Sequence, residues 1–112
     1  MTAKPITRLL LGLAAAAAAL PAPAAAADAA AGRQKARQCQ TCHGLDGIAK
    51  IPIAPHIAGE SQIYLDTQLK AFRSGKREHE IMSVIAKDLS DADIADLSAW
   101  YASIEITATM PE

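Results

Sequence analysis

An all-α fold is what this sequence predicts, and three observations predict it. Leu65, Leu69 and Phe72 recur at i, i+4 and i+7, and Ile94, Leu97, Tyr101 and Ile104 fall on a second helical stripe. Ser61 and Ser90 stand where N-caps would open those two segments. No stretch of strand length alternates apolar and polar residues.

The chain divides at about residue 28. Lys4 and Arg8 give a basic start, Leu9 to Leu20 is an uninterrupted apolar run, and Pro21 and Pro23 end it. Ala25-Ala26-Ala27 then fits the small-residue pattern of a signal-peptidase cut. Twelve helical residues would span only about 18 Å of a ~30 Å hydrocarbon core. Residues 1–27 therefore read as a cleavable secretory signal, and residues 28–112 as one exported, periplasmic domain with no membrane span. The 51% hydrophobic content is inflated by that leader. What remains is 85 of the 112 residues, with Tyr64, Phe72, Trp100 and Tyr101 as its aromatics. So small and lean a core calls for a staple such as a metal or a covalent group. The leader holds two basic residues and no acid, which leaves the domain at −3. That balance excludes a nucleic-acid binder, which needs a basic face.

In chain order, Ala29 to Cys39 is rich in Ala, Arg, Gln and Lys with no breaker after Gly32, and predicts a helix. Gly44, Asp46 and Gly47 predict a turn. Residues 48–60 hold two prolines without a helical period. They predict an apolar loop in which Ile51, Ile53 and Ile57 are buried. Ser61 and Gly75 bracket a helix over 61–74. Residues 76–80 are all charged or His, and Ile81 to Ala86 is a short apolar piece around Met82. Ser90 with Asp93 forms a capping-box variant ahead of a helix over 91–104, with Trp100 at the border of its apolar stripe.

The chemistry sits in Cys39-Gln40-Thr41-Cys42-His43, which uses both cysteines of the chain. Residues at i and i+3 share one side of a helical turn, roughly 5–6 Å apart, so both thiols can reach one flat ligand. The string has the spacing of a c-type haem attachment site, with each sulfur bonded to a vinyl group and His43 placed to ligate iron. Three rivals fit less well. A zinc site needs four ligands, and the other histidines, His56 and His79, lie 23 positions apart. A thioredoxin-like pair expects strands alternating with helices. A disulfide here would close a tiny loop and restrain little of the unfolded chain.

A second axial ligand must come from elsewhere. The thioether of Met suits iron and, paired with His, raises the reduction potential. Outside the leader, Met82 and Met110 are the methionines. Met82 lies 39 residues beyond His43, after a helix and a charged turn, whereas Met110 sits in a tail beside Pro111. Met82 is the expected ligand, with His79 or an open position as the alternatives. Metal-bound histidines donate their other ring nitrogen to an acceptor. Pro55, twelve residues after His43, offers a carbonyl with no helix to join.

These segments together resemble the class I monohaem cytochromes c, in particular the small bacterial periplasmic type that also forms each half of the dihaem bacterial cytochromes. The resemblance runs through CQTCHGLDG at 39–47, APHIAGE at 54–60, YLDTQLKAFRSGKR at 64–77, Met82, and LSDADIADLSAWYAS at 89–103. It implies helices around a covalently bound haem with one exposed edge, the N- and C-terminal helices packing crosswise. It implies Cys39 and Cys42 as thioether anchors, His43 and Met82 as axial iron ligands, and the Pro55 carbonyl as the group that orients His43. His56 and Glu60 depart from the Asn and Gln usual in relatives, at positions near the haem.

The expected role is a one-electron carrier rather than an enzyme, since no general base, nucleophile or phosphate loop accompanies the motif. Two alternatives stand beside it: a haem subunit of a larger dehydrogenase, and a haem enzyme or gas sensor with an open sixth position. Expected partners are donor and acceptor redox proteins docking at the haem edge. Lys70, Arg73, Lys76 and Arg77 form a candidate docking patch, set apart from an acidic stretch at Asp88, Asp91, Asp93 and Asp96.

Overall fold

The computed structural model describes residues 1–2, 12, 16–22 and 25–112. Most of the predicted leader lies outside the described residues; its parts at 16–22 and 25–27 carry no regular structure. From Ala29 onward the chain is helical, with no strand among the described residues. Nor is any helix among them long and apolar enough to cross a membrane.

Helix α1 (Ala29–Lys35) begins at Asp28, whose Oδ1 accepts the N–H groups of Ala30 at 2.8 Å and Ala31 at 3.2 Å. The predicted single helix through Cys39 tightens after Lys35 into a 3-10 turn, Ala36–Gln38. A second short helix, α2 (Gln40–His43), follows at once. Helix α3 (Gln62–Ser74) is opened by Ser61 Oγ, which accepts from Tyr64 N–H at 3.3 Å, and is closed by Gly75 in a left-handed conformation. Helix α4 (Met82–Lys87) grows from the short apolar piece. Helix α5 (Asp91–Ala102) starts with the reciprocal Ser90–Asp93 pair and stops two residues short of the predicted end; Ile104 stays half-buried beyond it.

The two stripes read from the sequence meet in one core. Leu65 and Phe72 of α3 pack with Ala86 of α4, Leu89, and Ile94, Leu97 and Tyr101 of α5, with Ala36 below them. At about 25 cal/mol per Å², each such buried aliphatic side chain contributes roughly 1.5–3 kcal/mol. Helix α1 meets α5 at Gly32, where a Cβ would lie 1.9 Å from the Asp96 carbonyl oxygen and 2.9 Å from Trp100 Cβ. Around that contact Lys35 Nζ pairs with Asp96 at 2.7 Å and Asp93 at 2.9 Å.

The loop prediction for 48–60 holds, but its burial does so only in part. Ile51 and Ile57 are half-buried, whereas Ile53 is 66% exposed. The loop is held by its backbone instead. Ile57 and Ala58 N–H both reach the Gly47 carbonyl, Lys50 N–H reaches Cys42 O, and Gly59 N–H reaches Tyr101 O. His56 Nδ1 accepts from Ala49 N–H at 2.9 Å, tying the two ends of the segment together.

Candidate haem site

Cys39, Cys42 and His43 are set by one helical turn. Cys42 N–H and His43 N–H both point to the Cys39 carbonyl, at 3.3 and 2.9 Å, which puts the two cysteines on the same side of the turn. Gly44 ends it at φ +76°, a conformation that L side chains rarely adopt. A Cβ there would also lie 2.3 Å from Asp46 Oδ1 and 2.5 Å from the Ile48 carbonyl oxygen. The freed Gly44 carbonyl accepts the buried Tyr101 hydroxyl at 3.0 Å, and the next carbonyl, Leu45, accepts Trp100 Nε1–H at 3.0 Å. The last helix therefore clamps the residues that leave the cysteine turn.

Both cysteines are half-buried free thiols. Burial pushes the Cys39 thiol up to about 11. A redox-active Cys-X-X-Cys pair has the opposite signature, a thiol depressed toward neutrality. Among the described residues there are no strands, as a thioredoxin-like context would need, and no cluster of three or more metal-binding side chains.

His43 Nδ1 lies 2.9 Å from the Pro55 carbonyl oxygen. A carbonyl only accepts, so Nδ1 carries a proton, and in the neutral ring the lone pair then lies on Nε2. The ring is thereby fixed in the tautomer that a metal ligand requires. Met82 opens α4, half-buried, and packs with Cys39 against the same core cluster. Met110 is 83% exposed in the tail. His79 has its Nδ1 engaged with backbone N–H groups of residues 81 and 82.

These residues fit a covalently held haem. The largest side chains that are fully buried are Ile94, Leu97 and Ser98, a slight interior for a domain of this length. Ile48, Ile53, Ile81 and Val84 remain exposed although apolar, flanking the two segments that supply His43 and Met82. A planar apolar group tied to Cys39 and Cys42 would give them something to cover.

The predicted cationic patch is largely committed within the chain. Arg73 donates to the Leu89 carbonyl at 2.8 Å and pairs with Asp91, tying α3 to the start of α5. Lys70 pairs with Asp66 at 2.8 Å along its own helix. Arg77 donates to Gln68 Oε1 and lies over the Phe72 ring, 4.5 Å from its centre. Lys76 is exposed.

Comparison with known proteins points to the same cofactor, haem c. Residues 29–105 match the Cytochrome c family. The chain is 46% identical over 79 residues to cytochrome c-554(548) of Halomonas halodenitrificans, covering 68% of this chain and 95% of that one. It is 39% identical over 83 residues to cytochrome c4 of Pseudomonas aeruginosa, covering 74% of this chain but 41% of that one. The crystal structure of reduced cytochrome c4 from Pseudomonas stutzeri superposes with a TM-score of 0.67 at 34% identity, over 71% of this chain and 47% of that one. The chain thus spans less than half the length of those c4 proteins and nearly all of the c-554(548) protein.

Proposed function

The chain belongs to the cytochrome c family and is a haem electron carrier; we propose that it is a single-haem shuttle of the periplasm, passing one electron at a time between two docking redox proteins. A bound haem c supplies the ferric/ferrous couple. Cys39 and Cys42 would hold it by thioether bonds, and His43 Nε2 and Met82 Sδ would ligate its iron. The observation that carries this reading is the 2.9 Å contact from His43 Nδ1 to the Pro55 carbonyl. It leaves Nε2 as the one ring nitrogen with a free lone pair, on the turn that also presents both thiols. The half-buried Met82, which like Cys39 packs against the core cluster, is supported over the exposed Met110 as the second ligand.

Two held ligands would close the site, which suits a carrier and would leave no position for a substrate or a gas. Residues 1–27 serve as the export signal in this reading and are removed ahead of Asp28. Docking charge comes chiefly from Lys76, with Lys70 and Arg77 partly committed and Arg73 acting as a strut. Arg73 was expected in the patch from sequence spacing alone, and its ties to Leu89 and Asp91 argue against that part.

The test is ligand chemistry on purified holoprotein. The ferrous wild type is expected not to bind CO. The Met82→Ala variant is expected to bind it and to lose potential, on the order of 0.1 V or more within the ~0.8 V that axial ligation spans. A wild type that binds CO readily would overturn the closed-site reading.

A further inference from the structure

Met82 stands at the first position of α4, where backbone N–H groups have no partner inside the helix. The residue before it, Ile81, has no side chain able to cap them. His79 supplies what is missing. Its Nδ1 accepts the N–H of Ile81 at 3.2 Å and the N–H of Met82 at 3.3 Å. The tie is reciprocal: His79 N–H donates to Ser83 Oγ at 3.0 Å, and the His79 carbonyl accepts Ser83 N–H at 2.9 Å. Four hydrogen bonds thus fasten residue 79 to residues 81–83, in the manner of a capping box whose capping side chain is an imidazole and whose returning side chain is the Ser83 hydroxyl.

We propose that His79 is a positioning residue for Met82, its ring holding the backbone from which the thioether reaches iron. This rests on Met82 being the axial ligand. His43 and His79 have complementary tautomers. His43 must carry its proton on Nδ1, because the Pro55 carbonyl can only accept. His79 must have a bare Nδ1, because both of its partners are N–H donors. One imidazole keeps Nε2 open for iron; the other turns its Nδ1 lone pair to the chain. His79 is exposed, so its contribution lies in these bonds rather than in packing.

The experiment compares His79→Phe, which keeps a flat ring and loses the acceptor, with His79→Asn, whose side-chain oxygen can cap. Imidazole, titrated into ferric holoprotein at fixed pH, competes with Met82 for iron. A lost cap is equivalent to about 1 kcal/mol, so H79F is expected to bind imidazole about fivefold tighter and to weaken the Met-to-iron absorption band. H79N is expected to restore both. Unchanged imidazole affinity in H79F, or an equal gain in H79F and H79N, would overturn the role. Met82→Ala separates the premises. If M82A binds imidazole no better than wild type, Met82 is not the ligand and the inference falls with that reading. If M82A opens the site while H79F leaves it closed, the role of His79 alone falls.

Discussion

The backbone N–H of Asp28 donates to Asp96 Oδ1 at 2.8 Å, joining the residue that opens α1 to the middle of α5. If the leader is cut ahead of Asp28, that amide becomes an α-ammonium facing a carboxylate. Its ordinary value of about 7.7–8.0 would then be raised by Asp96. A group raised on folding stabilises fully below its unfolded value, and the gain is lost as pH rises through the folded one. Mature protein should therefore lose stability above about pH 8. A version retaining Ala27 should not show that loss, because the ammonium has moved away. Intact mass identifies the terminus, and urea unfolding between pH 7 and 10 reads the difference. Identical pH profiles would refute the ion pair.

Lys35 extends the same junction and gives it a second pH limit. Its hydrogen bonds to Asp96 and Asp93 raise it above its usual 10.5, while Lys35 and Ser90 hold Asp93 down at about 2. For Asp93 the sign is that of a depressed acid. Its stabilisation is present above about pH 4 and lost as pH falls toward 2. For Lys35 it is present below 10.5 and lost above. The stability difference between wild type and Lys35→Met should therefore be flat near neutrality and shrink toward both ends. A difference that persists undiminished at pH 2 would show that the bridge is not what the lysine contributes.

Gly32 sets how closely α1 and α5 approach. A methyl there would stand 1.9 Å from a backbone oxygen, and backbone cannot swing aside as a side-chain tip can. Gly32→Ala removes a flexible residue from a helix, which by propensity alone would stabilise by about 1 kcal/mol. Overpacking works against it by about 3 kcal/mol or more. The net expectation is a loss of about 2 kcal/mol, or roughly 8–16 °C in Tm for a domain of this size. Thermal unfolding followed by far-UV circular dichroism measures it, and an unchanged or raised Tm would show that the junction can open.

Much of this was legible in the sequence because its causes are local. Ser61, Gly75 and the Ser90–Asp93 pair act within a turn of their own residues, and they mark helix ends where the sequence places them. The five residues from Cys39 to His43 carry their own geometry, and Pro55 follows from the need of a ligating imidazole for an acceptor. What was not legible depends on distant partners. Arg73 is 18 residues from Asp91, and Lys35 is 61 from Asp96, so a tally of charges read the first as a free patch and missed the second. Ile53 was expected to be buried, but apolarity says nothing of whether the chain supplies a cover. Two local signals were overlooked. Asp28 heads an alanine run as an N-cap should, and His79 stands three residues before α4, at the spacing from which a side chain reaches back to a helix start.

The split within the cationic segment yields a prediction that separates docking from folding. Lys76 is exposed, so Lys76→Glu should leave stability nearly unchanged and slow electron transfer with an acidic partner several-fold at low ionic strength. Screening over about 10 Å at 0.1 M salt should erase most of that effect as salt rises. Arg73→Glu should behave in the opposite way. It removes the donor to the Leu89 carbonyl and sets a carboxylate against Asp91, whose own acid is held below its usual value by that arginine. The cost then falls on the link between α3 and α5 and appears in the denaturation midpoint at any salt concentration. Stopped-flow transfer rates against salt, measured beside urea midpoints for both variants, distinguish the two. If Lys76→Glu shows no salt-dependent slowing, docking does not use this face. If Arg73→Glu keeps the wild-type midpoint, its bonds to Leu89 and Asp91 are not a strut and its charge returns to the docking surface.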